Sequence, residues 1–220
     1  MIEGKDLFDF SHSLAEERLQ CAETPWEALD QISAWICEIG AALDPAEYEE
    51  RSPQVWVHRS ARIAPTAYLG APCIVGPETE VRHCAFVRGA ALIGAGCVVG
   101  NSTEIKNAIL FDHVQVPHYN YIGDSILGYG AHLGAGAVTS NVRSDKRPVV
   151  VHGLAGDVET GRKKVGALVG DGVEIGCNSV LNPGTVIGRR TSVYPLTCVR
   201  GEIPADCIVK NDMTIVPREE

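Results

Sequence analysis

The chain has 220 residues and a formal net charge of −9 at pH 7. This acidic balance argues against a nucleic-acid partner, because such proteins present clustered positive charge to the phosphates. No apolar run approaches the roughly 18 residues of a membrane-spanning helix, and the amino terminus lacks the layout of a signal peptide, so we expect no membrane contact and a cytoplasmic protein. The 8 cysteines include no Cys-x-x-Cys pair and predict reduced thiols.

Residues 1–52 contain signals for three short helices. Ser13–Glu16 has the pattern of a capping box, in which a hydroxyl and an acid satisfy the first amides of a helix. Thr24–Glu27 has the same pattern, with a proline at the first helical position. Asp44–Glu47 predicts a third helix of one or two turns.

The helix predicted after Thr24 is amphipathic, and we interpret residues 1–52 as an N-terminal helical cap. Repeat arrays need a covered terminus, so we expect this cap over the open end of the array that follows. A partner-binding module is the alternative interpretation. The apolar stripe of the helix consists of Leu29, Ile32, Ile36 and Ile39, with Trp35 beside it.

From residue 53 onward an aliphatic residue recurs at every sixth position, with a small or β-branched residue two places before it. The series breaks after Ile105 and after Thr139 and resumes each time. Seventeen of its eighteen positions are aliphatic, in a chain that is only 45% hydrophobic. The positions are Val57, Ile63, Leu69, Val75, Val81, Val87, Ile93, Val99, Ile105, Leu127, Leu133, Thr139, Val169, Ile175, Leu181, Ile187, Val193 and Val199.

This period of six predicts a β-helix. Residues two apart on a strand point to the same side, so each hexapeptide supplies one short strand whose aliphatic and small side chains point inward. Each coil then pairs with the coil before it and the coil after it. We therefore predict a mainly β fold over residues 53–220, a single-stranded parallel β-helix rather than a sandwich. The pattern resembles the left-handed β-helix of hexapeptide-repeat transferases.

The two breaks, at 106–126 and 142–163, are predicted to be loops that leave the rigid core. Long loops of this kind are usually functional. Both contain apolar residues, among them Val149, Val150 and Val151, which we expect to be buried against a neighbouring copy of the chain.

A set of short motifs resembles the acetyltransferase domain of the bifunctional N-acetylglucosamine-1-phosphate uridyltransferase and glucosamine-1-phosphate acetyltransferase family. Archaeal-type sugar-1-phosphate nucleotidylyltransferases that carry this domain are more similar still. The resemblance covers about residues 57–210, and we expect no uridylyltransferase domain. The motifs are Gly100–Lys106, Pro117–Asp124, Gly134–Gly136, Thr139–Asn141 and Lys164 before Val169–Asp171.

The resemblance implies an N-acetyltransferase that moves an acetyl group from acetyl-coenzyme A to an amino-sugar phosphate such as glucosamine 1-phosphate. The amine would attack the thioester directly, and no metal would be required. His118 would be the general base, with Glu104 and Asn141 orienting the base and the sugar. The backbone N–H of Ala135 would stabilise the oxyanion.

The resemblance also implies the residues that bind the substrates. The groove for acetyl-coenzyme A would be lined by Cys177 and Pro195, with Lys210 as what remains of a basic tail. The family commonly has Asn at the position of His132 and Tyr at that of Val142, so the identity of the amino sugar and the acyl donor stays open. The residues implied for the sugar phosphate are Arg88, Lys106, Tyr121, His132 and Lys164.

Two other functions stay open at this point. One is a non-catalytic scaffold that binds a sugar phosphate or nucleotide sugar, which the short tail favours and His118 with Asn141 opposes. The other is a zinc enzyme resembling γ-type carbonic anhydrase, since His113 and His118 have the spacing of its ligand pair, but His83 is out of phase for a third ligand. The resemblance further implies a homotrimer with sites between adjacent prisms.

Overall fold

The computed structural model describes residues 2–219, and it confirms the predicted hexapeptide-repeat β-helix. Short parallel strands stack in three rows, which form the three faces of a left-handed prism. The first face consists of Val55–His58, Cys73–Val75, Ala91–Ile93, the ends of Glu104–Leu110 and Tyr121–Leu127, Ala167–Val169, Thr185–Ile187 and Glu202–Ile203.

The second and third faces are built in the same way. The second consists of Arg62–Ile63, Glu80–Val81, Val98–Asn101, Gln115–His118, His132–Leu133, Glu174–Ile175, Ser192–Val193 and Cys207–Val209. The third consists of Tyr68–Leu69, Phe86–Val87, the starts of Glu104–Leu110 and Tyr121–Leu127, Val138–Thr139, Val180–Leu181 and Cys198–Val199.

Antiparallel strands cover one edge at each end of the stack. Tyr48–Ser52 pairs with Val55–His58, and Ile215–Pro217 pairs with Cys207–Val209. Covered edges matter because a bare edge strand offers unpaired amides and carbonyls to other chains. Inside the prism, the predicted aliphatic series forms one continuous core in which most of the side chains are fully buried.

The first break in the series is not a loop, and this prediction was wrong. Leu110, Val116 and Ile122 are buried in the core of the prism, so the coil continues through 106–126. The step from Ile105 to Leu110 is five residues instead of six, and the step from Ile122 to Leu127 is five again. Two shortened corners therefore shift the phase of the pattern without any chain leaving the core.

The second break does leave the core, as predicted. Val150–Gly153 and Gly156–Glu159 form an antiparallel hairpin within 142–163. Val149 and Val151 are fully buried, but by the chain itself, because they pack in the cluster that covers the first face. The expectation that these valines need a neighbouring copy was therefore wrong.

The N-terminal segment lies along the first face and not across the open end of the prism, as we had expected of a cap. The Leu7 carbonyl accepts the Asp171 amide at 3.0 Å, and the Leu29 carbonyl accepts Asn107 Nδ2 at 3.0 Å. From its start to its end, the segment thus passes from the coil of Asp171 to the coil of Asn107 and then to the first coil. Beneath it and the 142–163 hairpin the outward aliphatic row of the first face is buried, consisting of Ile74, Leu92, Ile109, Ile126, Leu168 and Val186.

The helices themselves differ in part from the prediction. The α-helices are Gly4–Leu7, Glu16–Gln20 and Ile32–Ala42, and the 3-10 helices are Phe10–His12 and Pro25–Asp30. The predicted stripe is confirmed for Leu29, Ile32 and Ile36, which are buried. Asp44–Glu47 is a turn that leads into Tyr48–Ser52 and not a helix, because the Asp44 side chain accepts the Ala46 amide at 2.8 Å. None of the helices within 2–219 is long and apolar enough to cross a membrane.

Candidate active site

One corner of the prism collects four of the predicted residues. His118, Ala135, Cys177 and Pro195 each lie three residues after a paired position of the second face, in four successive coils. They therefore form one row parallel to the prism axis, at the corner between the second and third faces. We call this row the His118 corner.

The His118 corner is held by a buried amide that the sequence analysis did not select. Asn120 is 2% exposed, and its Oδ1 accepts the backbone N–H of His118 at 3.0 Å. Its Nδ2 donates to the carbonyls of Gly134 at 2.8 Å and Ala137 at 3.1 Å. The backbone on both sides of the corner is thereby fixed by one side chain.

The two groups with predicted chemistry at this corner are unengaged. The imidazole of His118 is exposed and makes no hydrogen bond within the described chain. The N–H of Ala135, in the next coil, donates to no acceptor among residues 2–219, whereas the N–H of Gly136 is bound to the His118 carbonyl at 2.9 Å. A base and an amide donor thus lie one coil apart, roughly 4.8 Å along the axis.

The other edge of the third face holds a second cluster, built around Asp124. The Asp124 carboxylate is 5% exposed and accepts Lys106 Nζ at 3.0 and 3.1 Å. Asn107 Nδ2 donates to it at 2.9 Å, and Asn141 Nδ2 donates to its other oxygen. Asn141 also contacts the Tyr121 hydroxyl at 3.3 Å. We call this cluster the Asp124 corner.

Asp124 and Asn107 were missed as site residues, although the five-residue steps could have located them. Both residues lie at the shortened corners and have positive φ, 48° for Asp124 and 50° for Asn107. Asn and Asp accept this backbone conformation better than most residues with a Cβ. Removal of one residue from two successive coils turns these side chains toward each other, and the buried carboxylate results.

The predicted phosphate ligands lie at this edge but are paired with acids. Arg88 and Lys106 occupy successive coils of one row, as their spacing of 18 residues predicts. Arg88 donates to Glu104 Oε1 at 2.8 Å, and both side chains are partly exposed. The positive charge that they offer to a phosphate is therefore reduced by Glu104 and Asp124.

The three remaining predicted residues lie in different places. Lys164 is exposed, and it lies beside the Asp124 corner because the amide of the next residue, Val165, donates to the Asn141 carbonyl at 3.1 Å. His132 lies on the second face, where its Nδ1 contacts Glu174 Oε2 at 2.7 Å. Lys210 begins the hairpin turn after Cys207–Val209. The structure does not bring His132 to the third face.

Exposed apolar side chains lie along the His118 corner. Next to Pro195 the side chains of Tyr194 and Leu196 are 45% and 73% exposed, and Tyr119 beside His118 is 65% exposed. This row of apolar surface runs along the axis past Cys177 to Ala135. The predicted groove residues therefore share one continuous strip.

The histidines of the zinc hypothesis do not converge. His113 and His118 lie at opposite ends of one second-face strand, and the His113 ring packs edge-on against Tyr129 with centroids 5.5 Å apart. His83 contacts the Thr66 hydroxyl at 2.9 Å. Within 2–219 no group of three or more His, Cys, Asp and Glu side chains has a metal-binding arrangement.

Comparisons with known proteins agree with the motifs. Residues 71–162 match the family model of the GMPPB C-terminal domain. The bifunctional protein GlmU of Methanococcus maripaludis strain C5 is 30% identical over 115 residues, which is 52% of this chain and 28% of that protein. The bifunctional sugar-1-phosphate nucleotidylyltransferase/acetyltransferase of Sulfurisphaera tokodaii is 32% identical over 98 residues, or 44% of this chain and 24% of that protein.

Among solved structures, the acetyltransferase domain of PglB from Neisseria gonorrhoeae in complex with acetyl coenzyme A matches 86% of this chain and 67% of that chain, at 17% identity and a TM-score of 0.35. The chain spans about a quarter of the length of the two curated relatives. It is a hexapeptide-repeat β-helix protein. It resembles the acetyltransferase region of GlmU, as the motifs indicate.

Proposed function

We propose that this chain is an acetyl-coenzyme A-dependent N-acetyltransferase that acts on an amino-sugar phosphate. The observation that carries the proposal is the His118 corner, where an unengaged imidazole lies one coil from an unengaged amide donor. A base and an oxyanion donor at this spacing are the two groups that acyl transfer to an amine requires. The names of the similar proteins, GlmU and a nucleotidylyltransferase/acetyltransferase, support the same class.

The reaction needs no covalent intermediate on the protein. The amine nitrogen of the sugar attacks the thioester carbon while His118 accepts the proton that the nitrogen loses. Negative charge develops on the carbonyl oxygen and is stabilised by the N–H of Ala135. The C–S bond then breaks, the sulfur takes up the proton held by His118, and the products are the N-acetyl sugar phosphate and the free thiol of coenzyme A.

The third face would hold the sugar between the two corners. Glu104 and Tyr121 are paired neighbours on its outer surface, between His118 at one edge and Lys106 at the other. Gly123, which pairs with Lys106, is five residues from His118. At roughly 3.3 Å per residue, the Cα atoms at the two edges of the face are at most about 16 Å apart. Long Arg and Lys side chains shorten this gap to the size of a hexose phosphate.

Lys164 becomes the strongest candidate for the phosphate. Arg88 and Lys106 are each paired with a carboxylate, whereas Lys164 makes no ion pair in the part of the chain that the structure describes. An unpaired ammonium attracts an anion more strongly than a neutralised one. A homotrimer, which the resemblance implies, would bring a neighbour's surface against the third face and complete the pocket.

The test is release of free thiol from acetyl-coenzyme A in the presence of a panel of amino-sugar phosphates. We expect His118→Ala to lower kcat about 100-fold or more with little change in coenzyme A binding, because general base catalysis contributes ~10²–10⁴-fold. Lys164→Ala should mainly raise KM for the sugar phosphate, whose phosphate keeps its charge during the reaction.

His113→Ala is the matched control, since it removes the same ring from the opposite end of the same strand region. Loss of activity in this variant but not in His118→Ala would place the base elsewhere. If the wild type bound coenzyme A or sugar phosphate but released no thiol with any acceptor, the scaffold function would replace the enzyme.

A further inference from the structure

The extruded segment 142–163 encloses a polar pocket that the proposed reaction does not use. The pocket has a volume of about 280 Å³ and lies between this segment and the third face. Its inner wall is formed by Ser140, Asn182 and Arg200, which directly follow the inward residues of three successive coils. Backbone bonds from Ser140 to Leu181 at 2.8 Å and from Asn182 to Val199 at 2.9 Å fix this wall.

Two arginines face this pocket from opposite sides. Arg143, on the extruded segment, makes two hydrogen bonds to Asp145, Nε to Oδ1 at 2.9 Å and NH2 to Oδ2 at 2.6 Å. Arg143 also holds the pKa of Asp145 well below its usual range, so the carboxylate is ionised at neutral pH. The pair holds the Arg143 guanidinium in place and leaves its remaining N–H groups, on the edge away from Asp145, able to donate to a ligand.

Arg200 is different, because no carboxylate pairs with it among residues 2–219. Its NH2 contacts His152 Nε2 at 2.9 Å, while His152 Nδ1 contacts Asp157 Oδ1 at 2.9 Å. Since a guanidinium only donates, Nε2 is the acceptor in this contact. The imidazole therefore positions the arginine without placing a carboxylate against it.

The balance of charge in the pocket is positive in an acidic chain. Two guanidinium groups against the one carboxylate of Asp145 give a local charge of +1, whereas the chain as a whole has −9. The hydroxyls of Ser140 and Ser144 also line the pocket and make no hydrogen bond within the described residues. Guanidinium forks with hydroxyl donors are the groups that recognise phosphate oxygens.

We propose that this pocket is a second anion site, which binds a phosphoryl group between Arg143 and Arg200. It adjoins the Asp124 corner, since Asn141 lies between Ser140 and Val142, but its two arginines are different residues from those of that corner. The site stands on its own geometry and does not depend on acetyl transfer.

The test is isothermal titration of the full chain with inorganic phosphate, at an ionic strength held constant with chloride. We expect saturable binding with a Kd that Arg200→Gln raises about tenfold or more, because charge-assisted hydrogen bonds are lost. Arg200→Lys should weaken binding less, since it keeps the charge but not the fork. Thermal unfolding of each variant shows that the fold is retained.

Arg190→Gln is the matched control. Arg190 also forms a two-bond pair with an aspartate, Asp206, on a remote exposed surface, so its loss changes net charge equally and should leave phosphate affinity unchanged. Equal affinity of the wild type, Arg200→Gln and Arg143→Gln for phosphate would overturn the site. An equal loss in Arg190→Gln would also overturn it, because it would show a general charge effect only.

Two further titrations identify the source of the phosphoryl group. Glucosamine 1-phosphate and coenzyme A both carry phosphoryl groups, and each is titrated into the wild type and Arg200→Gln. Affinity that depends on Arg200 for the sugar phosphate assigns the pocket to the acceptor, and the same dependence for coenzyme A assigns it to the donor. These are binding measurements, so they succeed or fail independently of whether any thiol is released.

Discussion

The first and third faces of the prism both point aliphatic and small side chains inward, but their outer surfaces differ in polarity and in exposure. On the first face every coil from Ile74 to Val186 places an aliphatic side chain outward, and this row is buried under the N-terminal segment and the 142–163 segment. On the third face the outward row is mixed. Tyr68 and Phe86 are 59% and 43% exposed with ring centroids 5.6 Å apart, and Glu104 and Tyr121 follow them.

The contrast separates two uses of the same repeat. The first face contributes stability, because covering six aliphatic side chains removes a large apolar area from water. The outward row of the third face is left largely open by the chain, with the 142–163 segment over one edge, and it lies between the two corners that hold the candidate catalytic and substrate-binding residues. A surface that serves a substrate or a neighbouring copy has to stay accessible.

The largest expected effect tests the covered face. Leu92 is 1% exposed beneath the N-terminal helices, so Leu92→Asp places an unpaired charge in an apolar layer. We expect it to reduce the free energy of unfolding by more than about 4 kcal/mol, measured by urea denaturation. Phe86→Asp, its counterpart on the third face, should cost less than about 1 kcal/mol. Both variants are measured at a protein concentration at which the chain is monomeric, and a comparable loss at Phe86 there would mean that the chain itself covers the third face.

The next effect concerns the buried carboxylate at the edge of the third face. Asp124→Ala removes the partner of Lys106, Asn107 and Asn141 together. We expect a loss of about 2–3 kcal/mol, less than for a fully buried pair because Lys106 is 26% exposed.

Asp206→Ala is the control for this measurement. Asp206 pairs with Arg190 on the surface, where both side chains are more than half exposed, so its loss should cost under about 1 kcal/mol. Equal effects of the two aspartate variants would show that the Asp124 corner has no special role in holding Lys106.

A third prediction uses the uncovered face as a docking surface for the chain itself. We expect a homotrimer in solution, with a mass three times the 23.5 kDa of the chain, by light scattering at micromolar concentration. Replacement of the exposed rings in Tyr68→Ser with Phe86→Ser should weaken it, because they are the apolar part of the third face. A monomer mass for the wild type would contradict the trimer and leave the site to one chain.

The last prediction concerns the cysteines that point into the prism, and it requires no substitution. Burial raises the pKa of the Cys73 and Cys97 thiols to about 12, because the thiolate is desolvated in the core. In the folded chain at about pH 8, iodoacetamide should label Cys177 and Cys198, which are exposed, and leave Cys73 and Cys97 unmodified. Peptide mass spectrometry measures this. Labelling of Cys73 in the native chain would contradict its inward placement.

The sequence contained a signal for the covered face that the prediction did not use. Cys73–Val75, Ala91–Ile93 and Ala167–Val169 are each three apolar residues in a row, so the middle one must point outward from the prism. Thr79-Glu80-Val81 on the second face has a charged middle residue instead. The difference indicates which face needs a cover, and the amphipathic helix at Ile32–Ala42 covers its early coils.

The repeat determined the fold from sequence alone, because a period of six with small and large inward residues fits a coil of three short strands and few other structures. It also placed Arg88 beside Lys106, since residues 18 apart are stacked by the strand pairing. These are local consequences of the period, and they required no knowledge of the rest of the chain.

The tertiary structure alone decided where the polar groups find partners. Asp124 is buried among Lys106, Asn107 and Asn141 because two corners are one residue short, and so small a change of phase looks from the sequence like a loop. The hairpin within 142–163 folds back and places Arg143 opposite Arg200, 57 residues apart in the chain. Such contacts depend on the path of the backbone between the residues, which no local pattern specifies.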